Sequence, residues 1–411
     1  MPTQTTVTHA TRSRSVPALT DERSIDVIRR AGAAVAPPPA APPSSFALHA
    51  ALEVGARVDL LGRATPEGRG PILDRLEAVA ATYRSLATVP APTGRRPPGR
   101  PVDALAVAVA EGDVDAADAA AVALDRADAL ALADLVLPSL AAAGHGTIAL
   151  DRVRRTDADD LVGLAGIRLL ARQLAEHPTW RLTWHVALRA GDRDGRGAPG
   201  PSNPSDGMSA LVAALLDPPA PGPRGDGFIY PTLHLVESSG QAASLLAGPL
   251  AAIGNDPEAV DDAGRHLLRV AAWSMLQDDP ASAPYGWSHC LTLPLASLGL
   301  VGSVEHPGDA LAVAATYVLA FRSTQGEVRL DPTHVPAAGT AAGEAWRAPP
   351  HQRPALAAHL AAHAGAHPDA HLAKYVDACW RAGALDPAAG RLYLAAAAHL
   401  AEIWEAGPAA T

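Results

Sequence analysis

The sequence contains few of the residues on which several large classes of protein depend. Its 411 residues include two cysteines, Cys290 and Cys379, too few for a disulfide framework or a metal site built from cysteines. No apolar run reaches the roughly 18 to 20 residues that span a membrane, and the N-terminal segment lacks a hydrophobic signal core. We therefore expect a cytoplasmic protein without a membrane segment.

Positive charge is also scarce. Asp and Glu together number 43 against 33 Lys and Arg, so the formal net charge is −10 at pH 7. Nucleic acids and anionic membrane surfaces are bound through concentrated positive charge. The charge balance therefore excludes both as expected partners, and it does not indicate an oligomeric state.

Residues that favour strands are rare, whereas residues that favour helices are abundant. Aromatic residues make up 4% of the chain, and Ala is its commonest residue. Ala has the highest helix propensity, and β-branched and aromatic residues favour strands. The composition predicts an all-α protein, a single large multi-helix bundle over residues 44–411 with long Pro- and Gly-rich loops.

Two polar segments are expected to lie outside the helical core. Residues 1–43 are polar and then Pro-rich, which predicts a disordered or weakly ordered tail with one short helix at Asp21 to Gly32. The segment Gly191 to Gly227 is rich in Gly, Pro and Asp around a short helix at Met208 to Leu216. We expect it to be mobile or to cover the functional site.

Lysine is the scarcest charged residue, because Lys374 is the single lysine beside 32 arginines. On a solvated surface Arg replaces Lys readily. It cannot do so where a neutral amine acts as a nucleophile or as an acceptor of carbon dioxide, since guanidinium stays protonated. Lys374 is therefore a candidate functional residue, and the alternative is a lysine codon that survived by chance on an exposed helix face.

The neighbours of Lys374 favour the functional interpretation. Pro368 ends one helical segment and Asp369 is of the type that caps the next, so His371 and Lys374 lie near a helix start on one face. A protonated amine repels a metal ion. A neutral amine that captures carbon dioxide becomes a carbamate, which is an anionic oxygen ligand. The pair indicates a metal site with a carboxylated Lys374.

Further histidines follow one another along the chain in a pattern that resembles a known family. The matching segments are SFALHAALE with His49, AAGHGTIAL with His145, YPTLHLVES with His234, WSHCLTLP with His289, and DAHLAKYVDACW followed by RLYLAAAAHLA. In order and approximate spacing, over residues 44–405, they resemble the questin oxidase-like proteins. The resemblance implies oxidative opening of an anthraquinone-type ring at an iron centre with four His ligands and a carboxylated Lys.

Transferred to this sequence, the resemblance implies a complete ligand set with one position open for dioxygen. The implied ligands of Fe(II) are His49, His145, His289, His371 and carboxylated Lys374. Of these, His371 and Lys374 are the implied catalytic residues, and His234 is an alternative ligand or substrate contact. The residues themselves leave another interpretation open, since His49, His145 and His289 are each compatible with a core histidine bonded to a backbone carbonyl.

The leading hypothesis is a non-haem iron-dependent mono- or dioxygenase of secondary metabolism. Its expected reaction is oxidative C–C cleavage that opens a ring of a polycyclic aromatic or quinone-like, polyketide-like small molecule. The alternatives are an NADPH-dependent Baeyer–Villiger-type oxidase without a tightly bound metal and a non-catalytic helical binding protein. The segment from Gly144 to Ala149 fits the dinucleotide pattern GxGxxA, but no predicted strand precedes it, which disfavours a nucleotide site.

Overall fold

The architecture is known from a computed structural model that describes residues 21–93, 99–156, 162–189, 203–217, 228–278 and 284–405. Within these ranges the chain forms helices and no strands, apart from two isolated β-bridges, Pro39 with Thr88 and Ser139 with Arg181. The predicted all-α helical domain is confirmed. In the same ranges, no helix combines the length and the apolar character needed to cross a bilayer.

The α-helices are numbered in chain order. They are α1 (Glu22–Val35), α2 (Ser45–Leu61), α3 (Pro66–Arg84), α4 (Pro101–Glu111), α5 (Val114–Val122), α6 (Arg126–Leu130), α7 (Ala133–Val136), α8 (Gly146–Arg155), α9 (Ile167–Glu176), α10 (Pro204–Leu216), α11 (Ile229–Ser238), α12 (Gln241–Ile253), α13 (Pro257–Gln277), α14 (Pro284–Gly299), α15 (Pro307–Gln325), α16 (Ala341–Arg347), α17 (Arg353–Ala366), α18 (Ala370–Leu385) and α19 (Gly390–Glu405). Short 3-10 helices lie at Ala141–Gly144, Val301–Ser303 and Pro387–Ala389.

Local side chains decide where the helices that carry the site begin. Helix α2 starts after Ser44, whose hydroxyl accepts a hydrogen bond from the Ala47 amide. Helix α18 starts after Asp369, whose carboxylate accepts one from the His371 amide. Such caps bond amides that have no partner within the helix and stabilise it by about 1 kcal/mol each. The capping role predicted for Asp369 is therefore confirmed.

The short helix predicted at Asp21 to Gly32 is present as α1, and it belongs to the core. Helix α1 packs against α3, and its residues Val27, Ile28 and Ala31 are buried in the core. These side chains recur at helical spacing, so they form an apolar face that the Pro-rich average composition conceals. Helix α1 is therefore part of the folded core, and residues 1–20 lie outside the described part of the chain.

Helix α10 is the described part of the segment predicted to cover the site. It starts after the capping side chain of Asn203, earlier than the predicted Met208, and it buries Leu211 and Leu215 against α12 and α13. Neither of those helices carries a histidine of the proposed ligand set. Helix α10 is thus part of the core, and the flanking residues of the predicted cover lie outside the described ranges.

Buried ion pairs fix the helices of the site against one another. On α8, Arg152 donates hydrogen bonds to the Gly55 carbonyl at 2.8 Å and to Asp59 at 2.9 Å, both on α2. Also on α8, Asp151 accepts a hydrogen bond from Arg381 of α18. A Cβ atom at Gly55 would lie 2.8 Å from the Arg152 side chain, so glycine permits this approach. The pairs hold α2, α8 and α18 in a fixed relative position.

Candidate metal centre

Four histidines from separate parts of the chain meet in the interior. His49 lies on α2, His145 directly before α8, His289 on α14 and His371 on α18. The ring centroid of His49 lies 4.5 Å from that of His145 and 4.6 Å from that of His371. The His289 ring lies 5.6 Å from His145 and 5.2 Å from His371. The four histidines predicted as ligands therefore form one cluster, and all four side chains are buried.

The separation of the ligand atoms is compatible with one metal ion. One ring nitrogen each from His49, His145 and His289 lies within 4.8 Å of the other two. Two imidazole nitrogens on opposite sides of a metal ion are about 4.2 Å apart, because each metal–nitrogen bond is about 2.1 Å long. Small side-chain movements would bring these three nitrogens to bonding distance of a single ion.

Hydrogen bonds on the outer side of the cluster orient two of the rings. Nδ1 of His49 lies 2.7 Å from the Ser45 carbonyl oxygen, and Nδ1 of His371 lies 3.0 Å from the Asp369 carboxylate. A carbonyl oxygen only accepts, so Nδ1 of His49 carries the proton and Nε2 carries a free lone pair. Nε2 of His49 has no hydrogen-bond partner among the described residues. Metal-binding histidines in proteins are oriented in this way.

His145 is the histidine for which a purely structural role fits least. Its side chain is 4% exposed, and neither ring nitrogen has a hydrogen-bond partner in the described part of the chain. Buried polar atoms almost always have a partner, because an unbonded one costs about 1 to 3 kcal/mol. The backbone-carbonyl bond of an ordinary core histidine is not observed here, and a bound ion would satisfy one of the nitrogens.

A left-handed turn places His145 at the start of α8. Ala142, Ala143 and Gly144 have φ values of 50°, 52° and 69°. Alanine is strained in this region by roughly 1 to 2 kcal/mol per residue, and such strain concentrates at functional sites. A Cβ atom at Gly144 would lie 2.6 Å from the Tyr317 hydroxyl, so this position requires glycine on two grounds. The glycines on both sides of His145 are a sequence signal for a break between helices, but nothing in the sequence marks the left-handed conformation of Ala142 and Ala143.

Lys374 is buried on α18, one turn after His371, with 6% of its surface exposed. This position excludes the alternative of a lysine on an exposed helix face. Burial lowers the pKa of Lys374 to about 7, although the negative charges of Asp369 and Glu53 oppose the shift. Its Nζ has no hydrogen-bond partner among the residues that the structure describes. A large share of this amine is therefore neutral near pH 7, as capture of carbon dioxide requires.

The histidines are held in the form that binds metals. Burial, and to a smaller extent the charge of Lys374, lowers the pKa of His49 to about 2. Burial also lowers the pKa of His145 well below its ordinary value and lowers that of His371. Neutral imidazole has the lone pair that a metal ligand needs, whereas imidazolium does not.

Sequence reasoning missed a charged cluster that anchors the segment before His371. Arg57 is fully buried on α2 and donates hydrogen bonds to Glu53 at 2.6 Å and to the His367 carbonyl at 2.7 Å. It also bonds the Gly365 carbonyl at the end of α17. Arg75 of α3 bonds Glu53 at 3.1 Å and the Pro368 carbonyl at 2.7 Å. We call Glu53, Arg57 and Arg75 the Arg57 clamp.

One sequence signal points to the Arg57 clamp in retrospect. Glu53 and Arg57 follow His49 at intervals of four residues on a helix that is otherwise mostly apolar. Residues at this spacing share one helix face. Charged residues on the same face as a candidate ligand therefore indicate a buried ion pair next to the site.

The structure does not bring His234 into the cluster. Its side chain is exposed on α11, and its ring stacks on Tyr230 at a centroid distance of 5.6 Å. Tyr230 in turn stacks on Trp180 at 4.2 Å. His234, predicted as an alternative ligand or substrate contact, lies on the surface rather than in the cluster, because helix α11 presents it away from the core.

The metal-free protein is expected to lose stability as the pH falls from 7 to 5. In the unfolded chain, His49 and His145 take up protons near the ordinary histidine pKa of about 6.5. In the folded protein burial lowers both pKa values, that of His49 to about 2. The unfolded state thus binds more protons, and each histidine lowers the free energy of unfolding by about 2 kcal/mol over this range. Urea denaturation with a chelator at both pH values measures the loss.

Two variants test whether this pH dependence of stability arises from the buried His49. His49→Gln should reduce the loss by about 2 kcal/mol, because the glutamine does not titrate. His234→Gln, at an exposed position, should retain the full loss. A pH dependence equal in His49→Gln and in the unchanged protein would contradict the burial of a neutral His49.

Comparisons of the chain with protein-family models, with curated proteins and with solved structures give no match.

Proposed function

We propose that this protein is a non-haem iron-dependent oxygenase that opens a ring of a polycyclic aromatic or quinone-like small molecule by oxidative C–C cleavage. The observation that carries the proposal is the buried meeting of His49, His145, His289 and His371 beside the buried Lys374. The order of the histidine-bearing segments, which resembles that of questin oxidase-like proteins, supports the ring-opening chemistry and the polyketide-like substrate.

The donor set favours iron over other common metals. Four imidazoles and one carbamate oxygen would supply five ligands and leave room for one more. Magnesium and calcium prefer sets built mainly from oxygen, and structural zinc takes four ligands in a tetrahedron. Imidazole-rich sites with an anionic oxygen ligand and an open position suit Fe(II). When bound, iron would supply the position at which dioxygen is activated.

Carboxylation of Lys374 follows from ordinary amine chemistry. The lone pair of the neutral Nζ attacks the carbon of carbon dioxide, a nitrogen–carbon bond forms, and one proton passes from the nitrogen to water. The side chain changes from a potential cation to an anion. A divalent ion, this carbamate and the Asp369 carboxylate together sum to zero charge, which suits a buried site.

The other residues of the site orient the histidine rings and shield the cluster from water. The Ser45 carbonyl and the Asp369 carboxylate hold the rings of His49 and His371 through their Nδ1 atoms. The buried side chains exclude bulk water from the cluster. A bound ion would satisfy one of the two unbonded ring nitrogens of His145, which favours this proposal over a metal-free NADPH-dependent oxidase or a binding protein, since neither alternative supplies a partner for either nitrogen.

Metal content is the decisive measurement. Protein purified without a polyhistidine tag should contain close to one iron per chain, and chelation should abolish dioxygen uptake with hydroxylated anthraquinones. Substitution of one ligand, His145→Ala, should remove the metal, whereas the surface substitution His234→Ala should retain it. A folded protein that binds neither iron, manganese nor zinc would refute the proposal and leave the metal-free NADPH-dependent oxidase and the helical binding protein in its place.

A further inference from the structure

Tyr317 is a buried residue with an unused hydrogen-bond donor. It lies on α15 with no surface exposed, and its hydroxyl has no partner among the described residues. The hydroxyl reaches the left-handed turn, where it lies 2.6 Å from the position of a Cβ atom at Gly144. Gly144 directly precedes His145. The phenol therefore lies next to the backbone that carries one of the proposed ligands.

The face of α15 that carries Tyr317 also contacts the cluster. Phe321 follows Tyr317 by four residues and thus lies on the same helix face. Its ring is 6.2 Å from the His289 ring at an interplanar angle of 22°. Tyr317 and Phe321 together place a hydroxyl and a flat apolar ring beside two of the histidines, an arrangement that suits an aromatic ligand.

Two further hydroxyls, each within three residues of a proposed ligand in the sequence, are buried without a partner in the described ranges. Thr147 follows His145 by two residues on α8, and Thr292 follows His289 by three on α14. Native proteins leave few buried polar atoms unbonded, since each costs about 1 to 3 kcal/mol. Thr292 shares a helix face with His289, whereas Thr147, two residues after His145, does not share one with it. The unbonded hydroxyls of Tyr317 and Thr292 are therefore the two that favour a bound polar group.

The chemistry of Tyr317 defines its role. Burial raises the pKa of the phenol, so it remains protonated and offers a hydrogen. The other side chain close to the Cβ position at Gly144, that of Ile229 at 3.3 Å, is apolar and offers no acceptor. An acceptor oxygen on a ligand is the partner that this environment lacks.

We propose that the Tyr317 hydroxyl donates a hydrogen bond to a carbonyl oxygen of the substrate and thereby selects oxygenated ring systems. This inference rests on the proposed function, because it places the substrate at the same histidine cluster. Tyr317 is then a specificity-determining residue. Phe321 contacts the flat face of the ring system, and Gly144 leaves room for the phenol.

A pair of matched ligands tests the hydrogen bond. 9-Fluorenone is a flat three-ring ketone, and fluorene is the same skeleton without the oxygen. In Tyr317→Phe the Kd of 9-fluorenone should rise about three- to tenfold, which corresponds to loss of one neutral hydrogen bond. The Kd of fluorene should change less than about twofold. Fluorescence titration of metal-loaded and metal-free protein measures both.

The free energy of unfolding distinguishes this role of Tyr317 from a structural role. Tyr317→Phe should leave the free energy of unfolding unchanged or raised, because the hydroxyl that it removes has no described partner. The matched control is Tyr83→Phe, since the buried Tyr83 donates a 3.0 Å hydrogen bond to the Pro37 carbonyl. This control should be destabilised and should bind both ligands unchanged.

The outcomes distinguish the two proposals. The Tyr317 proposal is overturned if the unchanged protein does not bind 9-fluorenone at millimolar concentration, if Tyr317→Phe binds it equally well, or if Tyr317→Phe is destabilised like Tyr83→Phe. A protein that binds no metal but discriminates 9-fluorenone from fluorene through Tyr317 would refute the oxygenase and retain this inference.

Discussion

Lys374→Arg is expected to lower metal affinity by at least about 100-fold while the helical content is unchanged. Arginine retains most of the length of lysine, so the exchange removes the amine with little change in the size of the side chain. Guanidinium stays protonated and forms no carbamate. Loss of a direct ligand should exceed the 10- to 100-fold effect of removing a residue that only orients one. Equilibrium dialysis with Fe(II) and circular dichroism measure the two quantities.

Further variants test whether loss of the carbamate is the cause of the lower metal affinity. Lys374→Ala should also lose the metal, and added formate or acetate should restore part of it by occupying the space of the carbamate. Arg30→Lys, the reverse exchange at an exposed ion pair with Glu77, should bind metal normally. With ¹³C-labelled carbon dioxide the unchanged protein should show a carbamate resonance that both Lys374 variants lack. Full metal binding by Lys374→Arg would refute the carbamate ligand.

Arg57→Met is expected to lower the free energy of unfolding by about 3 to 5 kcal/mol, the typical effect of breaking a buried ion pair. Methionine fills much of the volume but donates no hydrogen bond. Glu53 then loses a buried partner, and the carbonyls of Gly365 and His367 lose their donor. Chemical denaturation measures the loss. Because these carbonyls precede Asp369 and His371, metal affinity should also fall.

The control for Arg57→Met is Arg30→Met. Arg30 bonds Glu77 at 2.8 Å, but both side chains are about half exposed, so this loss should stay within about 1 kcal/mol. Metal affinity should not change. A loss below 1 kcal/mol in Arg57→Met, or a loss equal in the two variants, would show that the Arg57 clamp does not anchor the segment before His371.

Part of this site is predictable from short stretches of sequence. The cap at Asp369 and the break at Pro368 are local signals, and they place His371 and Lys374 on one helix face. Lys374 can be singled out from composition alone, because it is the single lysine of the chain. The helix predicted at Asp21 to Gly32 is present as α1, but the Pro-rich composition of residues 1–43 does not predict that one apolar face of this helix packs on α3.

The sequence alone determined that the chain is helical, where several helices begin, and which residues share a helix face. These properties depend on propensities and hydrogen bonds within a few residues. Only the tertiary structure decided that His49 and His371 meet while His234 stacks at the surface. Helical periodicity defines a face but not the helix it will pack against. Arg57 reaches backbone carbonyls, which every residue has, so no complementary side chain could mark those contacts in the sequence.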